Sequence, residues 1–286
     1  MSLLRRIQSS AVVVVFTCMA EVVLTVGASA RAEDAKPQAA ASRADGDGWI
    51  QLFDGKTLEG WHKNPKKIGH GTGGLWTVEP DGVLAGEQDP PGSGNGGILL
   101  TDRKFENFEL SLEMKPSWGI DSGVFLRGND KGQCIQMTVD YYNGGNIGHF
   151  YGEQTGGWVA RAFSIKGSER EGELITLEPI EVREPEAAGL VSSCQPQEWV
   201  KAWKVDDWNT ALIRVEGGKY PKITTKINGV EIGVFDAASS TAEKYDREEM
   251  ARLLGEEGSI AVQVHGGGSY PAGKKCRWRN IRIREL

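Results

Sequence analysis

The chain has 286 residues, enough for one large all-β domain or two small ones with a packed core. With 39% hydrophobic residues, 25% charged residues and a net charge of -6, it is neither a disordered chain nor one with the basic footprint of a nucleic-acid binder. Thirty-eight glycines and nine tryptophans point instead to many short strands joined by tight turns.

At the N-terminus, Arg5 and Arg6 precede an apolar run from Ala11 to Ala20 and a second apolar patch from Val22 to Val26. Ala28-Ser29-Ala30 and Ala30-Arg31-Ala32 then offer small residues for cleavage, so residues 1–32 are expected to be a secretory signal. Glu21 divides the apolar stretch, which leaves too little length for a stable membrane anchor. The expected location is therefore outside the cytoplasm, periplasmic or extracellular. Losing three arginines and one glutamate with the signal would leave a net charge of -8. Such a protein meets neutral or cationic ligands more readily than phosphates. Cys18 would leave too, and Cys134, Cys194 and Cys276 form no CxxC or Cys/His pattern, so neither a metal site nor a cofactor is expected.

Residues 33–48 are Ala-rich and polar without period, as in a flexible spacer, and a single domain is expected over 49–286. Strand signals recur at Trp76–Val78, Val83–Ala85, Phe108–Met114, Val124–Arg127 and Cys134–Val139. They resume at Leu212–Val215, Ile223–Ile227, Val230–Val234, Ile260–Val264 and Trp278–Ile283. Asn228-Gly229 marks a two-residue hairpin turn, because both residues tolerate positive φ. Ala242–Leu254 is the one helix the pattern predicts, stopped by Gly255. Between about 157 and 204, a Glu/Pro-rich stretch lacks alternation and reads as a long inserted excursion on one rim. The fold class is thus all-β, a sandwich or jelly roll of two antiparallel sheets with one short helix.

Alternation also orients side chains. Phe108, Leu110, Leu112 and Met114 leave Glu109, Ser111 and Glu113 on the opposite face. Val124 and Leu126 oppose Arg127; Ile135 and Met137 oppose Gln136; Ile260, Val262 and Val264 oppose Gln263 and His265. If these strands share a sheet, one face displays Glu113, Arg127, Gln136, Gln263 and His265. Glutamines with one arginine and one histidine suit a ligand site better than a plain solvated face. In NGGNIGHFYGEQTGGW, His149, Tyr151 and Trp158 suit a loop that binds or stacks on a sugar ring. His62 and His70 stand among lysines in an expected surface loop and receive no role.

Several motifs, in order, carry a family resemblance. Gln51-Leu52-Phe53-Asp54-Gly55-Lys56, Leu58-Glu59-Gly60-Trp61 and Trp76-Thr77-Val78 with Asp81-Gly82-Val83-Leu84 open the domain. Asp121-Ser122-Gly123-Val124-Phe125-Leu126-Arg127, Asp207-Trp208-Asn209-Thr210, Ile227-Asn228-Gly229 and Arg279-Asn280-Ile281-Arg282-Ile283 follow. Together they resemble the 3-keto-disaccharide hydrolase family, formerly a domain of unknown function. The resemblance implies a concanavalin A-like jelly roll, export, and action on 3-keto glycosides supplied by a sugar 3-oxidoreductase. Two positions depart from the pattern: Cys134 stands where members often carry an acid, and Asp140 follows Gln136 at a longer spacing than usual.

Glu109 and Glu113 would sit about 13 Å apart on one strand, too far for a retaining or inverting carboxyl pair. The Glu-x-Asp-x-x-Glu strand of jelly-roll glucanases is missing from the sequence. A 3-keto group changes the need, since it acidifies the C2 proton and lets the glycosidic bond break by elimination, with water adding afterwards. That requires a base, for which His265 is the candidate, and a cation for the enolate, for which Arg127 is the candidate. Glu113 or Asp140 would move the leaving-group proton. A non-catalytic carbohydrate-binding module, or an interaction domain of a larger exported assembly, would use the same face.

Overall fold

The computed structural model describes residues 46–286, so the expected signal and most of the expected spacer lie outside the described residues. In chain order the first strands are β1 (Ile50–Gln51), β2 (Trp61–Lys63), β3 (Leu75–Glu79), β4 (Val83–Glu87) and β5 (Gly97–Phe105). Next come β6 (Phe108–Pro116), β7 (Gly123–Gly128), β8 (Cys134–Val139), β9 (Ile147–Glu153) and β10 (Val159–Ala160). A hairpin of β11 (Ser164–Arg170) and β12 (Glu173–Ile180) leads to β13 (Ser192–Ser193) and helix α1 (Pro196–Ala202). The chain closes with β14 (Asn209–Glu216), β15 (Lys222–Ile227), β16 (Val230–Asp236), helix α2 (Arg247–Leu254), β17 (Gly258–Val264) and β18 (Cys276–Glu285).

Two large antiparallel sheets result. One runs β13-β16-β15-β14-β6-β18-β4-β3 with β1 alongside β18, and the other runs β10-β9-β8-β7-β17-β5-β2. Every strand expected from alternation is a strand, and the two sheets bury one apolar layer between them as a jelly-roll sandwich. Leu110, Leu112 and Met114 of β6 meet Val124, Leu126, Ile135 and Val262 of the other sheet in that layer, all fully or almost fully buried. Each such side chain contributes about 1.5–3 kcal/mol relative to exposure. Asn228 and Gly229, at φ 48° and 87°, make the expected two-residue turn between β15 and β16. Among the described residues no helix is long and apolar enough to cross a membrane.

Two expectations are corrected. The helix expected over 242–254 spans only Arg247–Leu254, because Asp246 takes the Glu248 and Glu249 backbone N–H groups at 3.0 Å and starts it there. A second helix, α1, forms within the Glu/Pro-rich stretch; its seven residues are too few for a visible period. That stretch is no rim decoration. It supplies Trp158, Phe163, Ile165, Trp199 and Trp203 to the core, with Trp158 stacked on Phe235 at 4.8 Å and Trp199 on Trp203 at 5.3 Å. Scattered aromatics bury well without alternating, which is why periodicity missed them.

The outer face of the seven-stranded sheet positions the site. Half of it is apolar, with Ile98, Leu100, Phe125, Cys134 and Ala261 covered by Ile68 from the 64–74 loop. The other half stays polar and open.

Candidate active site

The polar half is a cleft of about 330 Å³. Successive outward positions of β8, Gln136 and Thr138, lead to Asp140 just past its end, while β9 contributes Tyr151 and Glu153. His265 follows β17, Asp121 precedes β7, and Tyr142, Arg161 and His70 come from adjoining loops.

Register makes the carboxyl pair. Gly123 lies opposite Thr138 and Ile120 opposite Tyr141, so Asp121 faces Asp140 across the continued ladder. Directly opposed like charges in a protein-lined cleft cannot both ionise easily. Burial pushes the Asp140 carboxyl well above the usual carboxylate range, and the charge of Asp121 adds to the shift. Burial raises Asp121 as well, though the neighbouring histidines oppose it. One proton shared between them, held mainly on Asp140, is the consistent state. Tyr142 lines the cleft beside the pair, and burial raises its pKa too.

His265 is 36% exposed, and its Nδ1 lies 2.5 Å from the Gly266 carbonyl. That carbonyl can only accept, so the proton sits on Nδ1 and the Nε2 lone pair faces the cleft, 3.9 Å from Asp121 Oδ2. His70 packs edge-on to His265 with ring centroids 4.6 Å apart. A Cβ on Gly266 would overlap the His70 carbonyl, so glycine is what allows this close docking. The Gln136 amide donates to Gln263 Oε1 at 2.9 Å, which turns the Gln263 amide nitrogen toward His70 Nε2, also at 2.9 Å. The His70 lone pair is thereby occupied. The same Nε2 lies 3.3 Å from Glu153 Oε1. Gly123 gives Gln136 its room, since a Cβ there would overlap the Gln136 amide.

Thus His265, Asp140, Gln136 and Tyr151 of the expected residues line one cleft, with Gln263 directly beneath it. The others are elsewhere. Glu113 belongs to β6 in the opposite sheet and is bonded to Arg279 and, at 3.0 Å, to Asn280. Alternation orients a side chain but does not say which sheet its strand joins.

Arg127 lies about 13 Å along β7 from Gly123, beyond reach of the cleft. It has φ 56°, and its buried guanidinium ties together the carbonyls of Gly218 (2.5 Å), Gly255 (3.4 Å) and Glu106 (3.4 Å). Burial pulls its pKa down to about 10. We expect Arg127→Ala to cost about 2–4 kcal/mol in urea unfolding while leaving turnover per folded molecule unchanged. A lost activity with intact stability would return Arg127 to the site.

His149 points between the sheets, against Phe163 and 2.9 Å from Ser193 Oγ, in space that the missing side chain of Gly233 provides. The β8–β9 bulge between Met137 and Val139 breaks the alternation that would have turned it outward. Burial lowers its pKa to about 3, so it stays neutral. Trp158 is core, not a sugar platform. Cys134 lies in the covered apolar patch, and the carboxyl nearest that position is Glu153, directly opposite it in register.

Alternation alone did not point to His70, Asp121, Tyr142, Glu153 or Arg161. Asp121 had a signal in the Asp-Ser-Gly motif, as the continuation of β7 opposite β8, whereas His70 had none. A wider depression of about 860 Å³, lined by residues such as Ser193, Cys194, Lys201 and Glu231, has no histidine among its lining residues. The smaller cleft is therefore the better chemical site.

Residues 48–284 match the family described as the 3-keto-alpha-glucoside-1,2-lyase-like domain. A protein named 3-keto-disaccharide hydrolase, from Bacteroides thetaiotaomicron, is 41% identical over 87 residues, a segment that spans 28% of each chain. Among solved structures, a putative glycosyl hydrolase from Parabacteroides distasonis is similar at TM-score 0.48 and 21% identity, over 83% of this chain and 99% of that one. A carbohydrate-binding module from Bacillus subtilis is similar at TM-score 0.42 and 10% identity, over 79% and 96%.

Proposed function

Because the chain belongs to the 3-keto-alpha-glucoside-1,2-lyase-like domain family, we propose that it cleaves 3-keto glucosides by elimination, with water adding afterwards to complete hydrolysis. The observation that carries this proposal is the meeting of a histidine whose Nε2 faces the cleft with the carboxyls of Asp121 and Asp140, opposed across the β7–β8 ladder. His265 Nε2 takes the C2 proton, and the electron pair left on C2 delocalises onto the C3 oxygen as an enolate. Arg161, in the same cleft, takes the enolate-stabilising role expected of Arg127. As the enolate collapses, a C1–C2 double bond forms, the C1–oxygen bond breaks, and Asp140 gives its proton to the departing oxygen. Asp121 remains as carboxylate beside the new imidazolium.

The substrate would come from a sugar 3-oxidoreductase, and the protein would work outside the cytoplasm after loss of residues 1–32. The test is incubation with 3-keto-trehalose and 3-keto-lactose beside the unoxidised sugars, followed by product analysis. Release of monosaccharide from the keto sugars alone supports the proposal. Binding without turnover would identify a carbohydrate-binding module instead.

A further inference from the structure

The cleft does not end at Arg161. A second recess of about 250 Å³ adjoins it, and the two share Val159 and Arg161. Ala187, Ala188 and Ala242, with Val159, give the recess a small-residue apolar lining. Around it stand Arg161, Arg183 and Lys244 with a single carboxylate, Glu243.

The charge balance of the two chambers differs. The first holds Asp121, Asp140 and Glu153 beside Arg161, which both chambers share and which also lies 4.0 Å from Glu181, while the second adds Arg183 and Lys244 against Glu243 alone, in a chain whose net charge is -6. Neither Arg183 nor Lys244 has an ion-pair partner among the described residues. The turn that carries Lys244 is closed by the Tyr245 N–H on the Ala242 carbonyl at 3.0 Å, and Lys244 itself has φ 64°, a conformation lysine rarely adopts. Arg161 is anchored at the junction, donating to the Gly144 carbonyl at 3.2 Å.

We infer that this recess is the leaving-group subsite, and that it selects glucosides whose aglycone has a flat apolar body bearing a carboxylate or sulfate. The inference rests on the elimination proposed above, in which Asp140 protonates the departing oxygen on C1 while Arg161 holds the enolate oxygen on C3, so the leaving group lies on the side of the cleft that Arg161 borders. An aglycone leaving from there passes Arg161 into the recess. Its apolar body meets the alanines, and its anion meets Arg183 and Lys244, where charge-assisted hydrogen bonds favour it over a neutral group. A cationic aglycone would be repelled.

The experiment compares 4-carboxyphenyl 3-keto-α-glucoside with its 4-carbamoylphenyl counterpart, which is matched in shape but neutral. At low ionic strength we expect a KM about 5- to 30-fold lower for the carboxylate, narrowing in about 0.5 M NaCl. In the Arg183→Gln/Lys244→Gln double variant the preference for the carboxylate over the amide should fall below about two-fold. Equal KM values in the wild type, or an undiminished preference in the variant, would overturn the subsite. If neither compound is turned over, the elimination itself fails, and calorimetric titration with 4-hydroxybenzoate and 4-hydroxybenzamide decides the subsite separately. Tighter benzoate binding that the double variant loses supports it, and equal binding of the two compounds rejects it.

Discussion

Replacing His265 by alanine is expected to lower kcat on a 3-keto glucoside by about 10²- to 10⁴-fold, the usual worth of a positioned general base. KM should change little, because the imidazole meets a proton that moves in the transition state more than it holds the sugar. Folding should be unaffected, since the ring is 36% exposed and its hydrogen bond is to the adjacent Gly266 carbonyl. The diagnostic readout is exchange of the C2 hydrogen in deuterated water, monitored by NMR on a 3-keto sugar. Wild type should exchange it and His265→Ala should not. His70 cannot substitute in its neutral form, because its Nε2 lone pair takes the Gln263 amide hydrogen. Normal C2 exchange in the variant would remove His265 from the base role.

Asp140→Asn should separate the second half of the reaction from the first. C2 exchange persists, since His265 is intact, but aglycone release falls by about 10²- to 10³-fold, within the range for loss of a general acid. The deficit should shrink steeply for aglycones of low pKa, which leave without a proton. A uniform loss across leaving groups would contradict the acid role.

Stability should move the opposite way. Because the Asp140 carboxyl is raised in the folded state, the native protein holds more protons than the unfolded chain from the ordinary value of 3.8 upward. Native stability is therefore lost as pH rises through that window, by at most about 1.4 kcal/mol per pH unit for one group. Asparagine cannot ionise, and with a neutral neighbour Asp121 ionises more readily. Asp140→Asn should thus be more stable than wild type above about pH 4, with the gap widening toward the folded-state pKa. Urea midpoints between pH 4 and 8 measure this, and a variant less stable at pH 7 would contradict the shared-proton pair.

Alternation was enough to locate ten strands and to turn Gln136, Gln263 and His265 away from the core. The reason is local: Ile135 and Met137, or Val262 and Val264, must bury, and a strand's period of two leaves their neighbours no other face. The motifs from Gln51 to Ile283 likewise implied the family that residues 48–284 match. Sheet membership lay beyond that information, so Glu113 looked like a neighbour of His265 although β6 and β17 belong to opposite sheets. Bulges also escaped it, which is why His149 turned inward. The Asp121–Asp140 pair exists only through the register of β7 on β8, and the raised pKa of Asp140 only through the protein packed around it and the charge of Asp121. His70 reaches the cleft because a loop among lysines docks over Ile98, Leu100 and Phe125, with Gly266 making room. Trp158 entered the core because a large ring gains more from stacking on Phe235 than from waiting in solvent for a sugar. The face of each strand is set by its nearest neighbours in sequence, whereas the partners that make a catalytic group are set by burial between residues far apart in the chain.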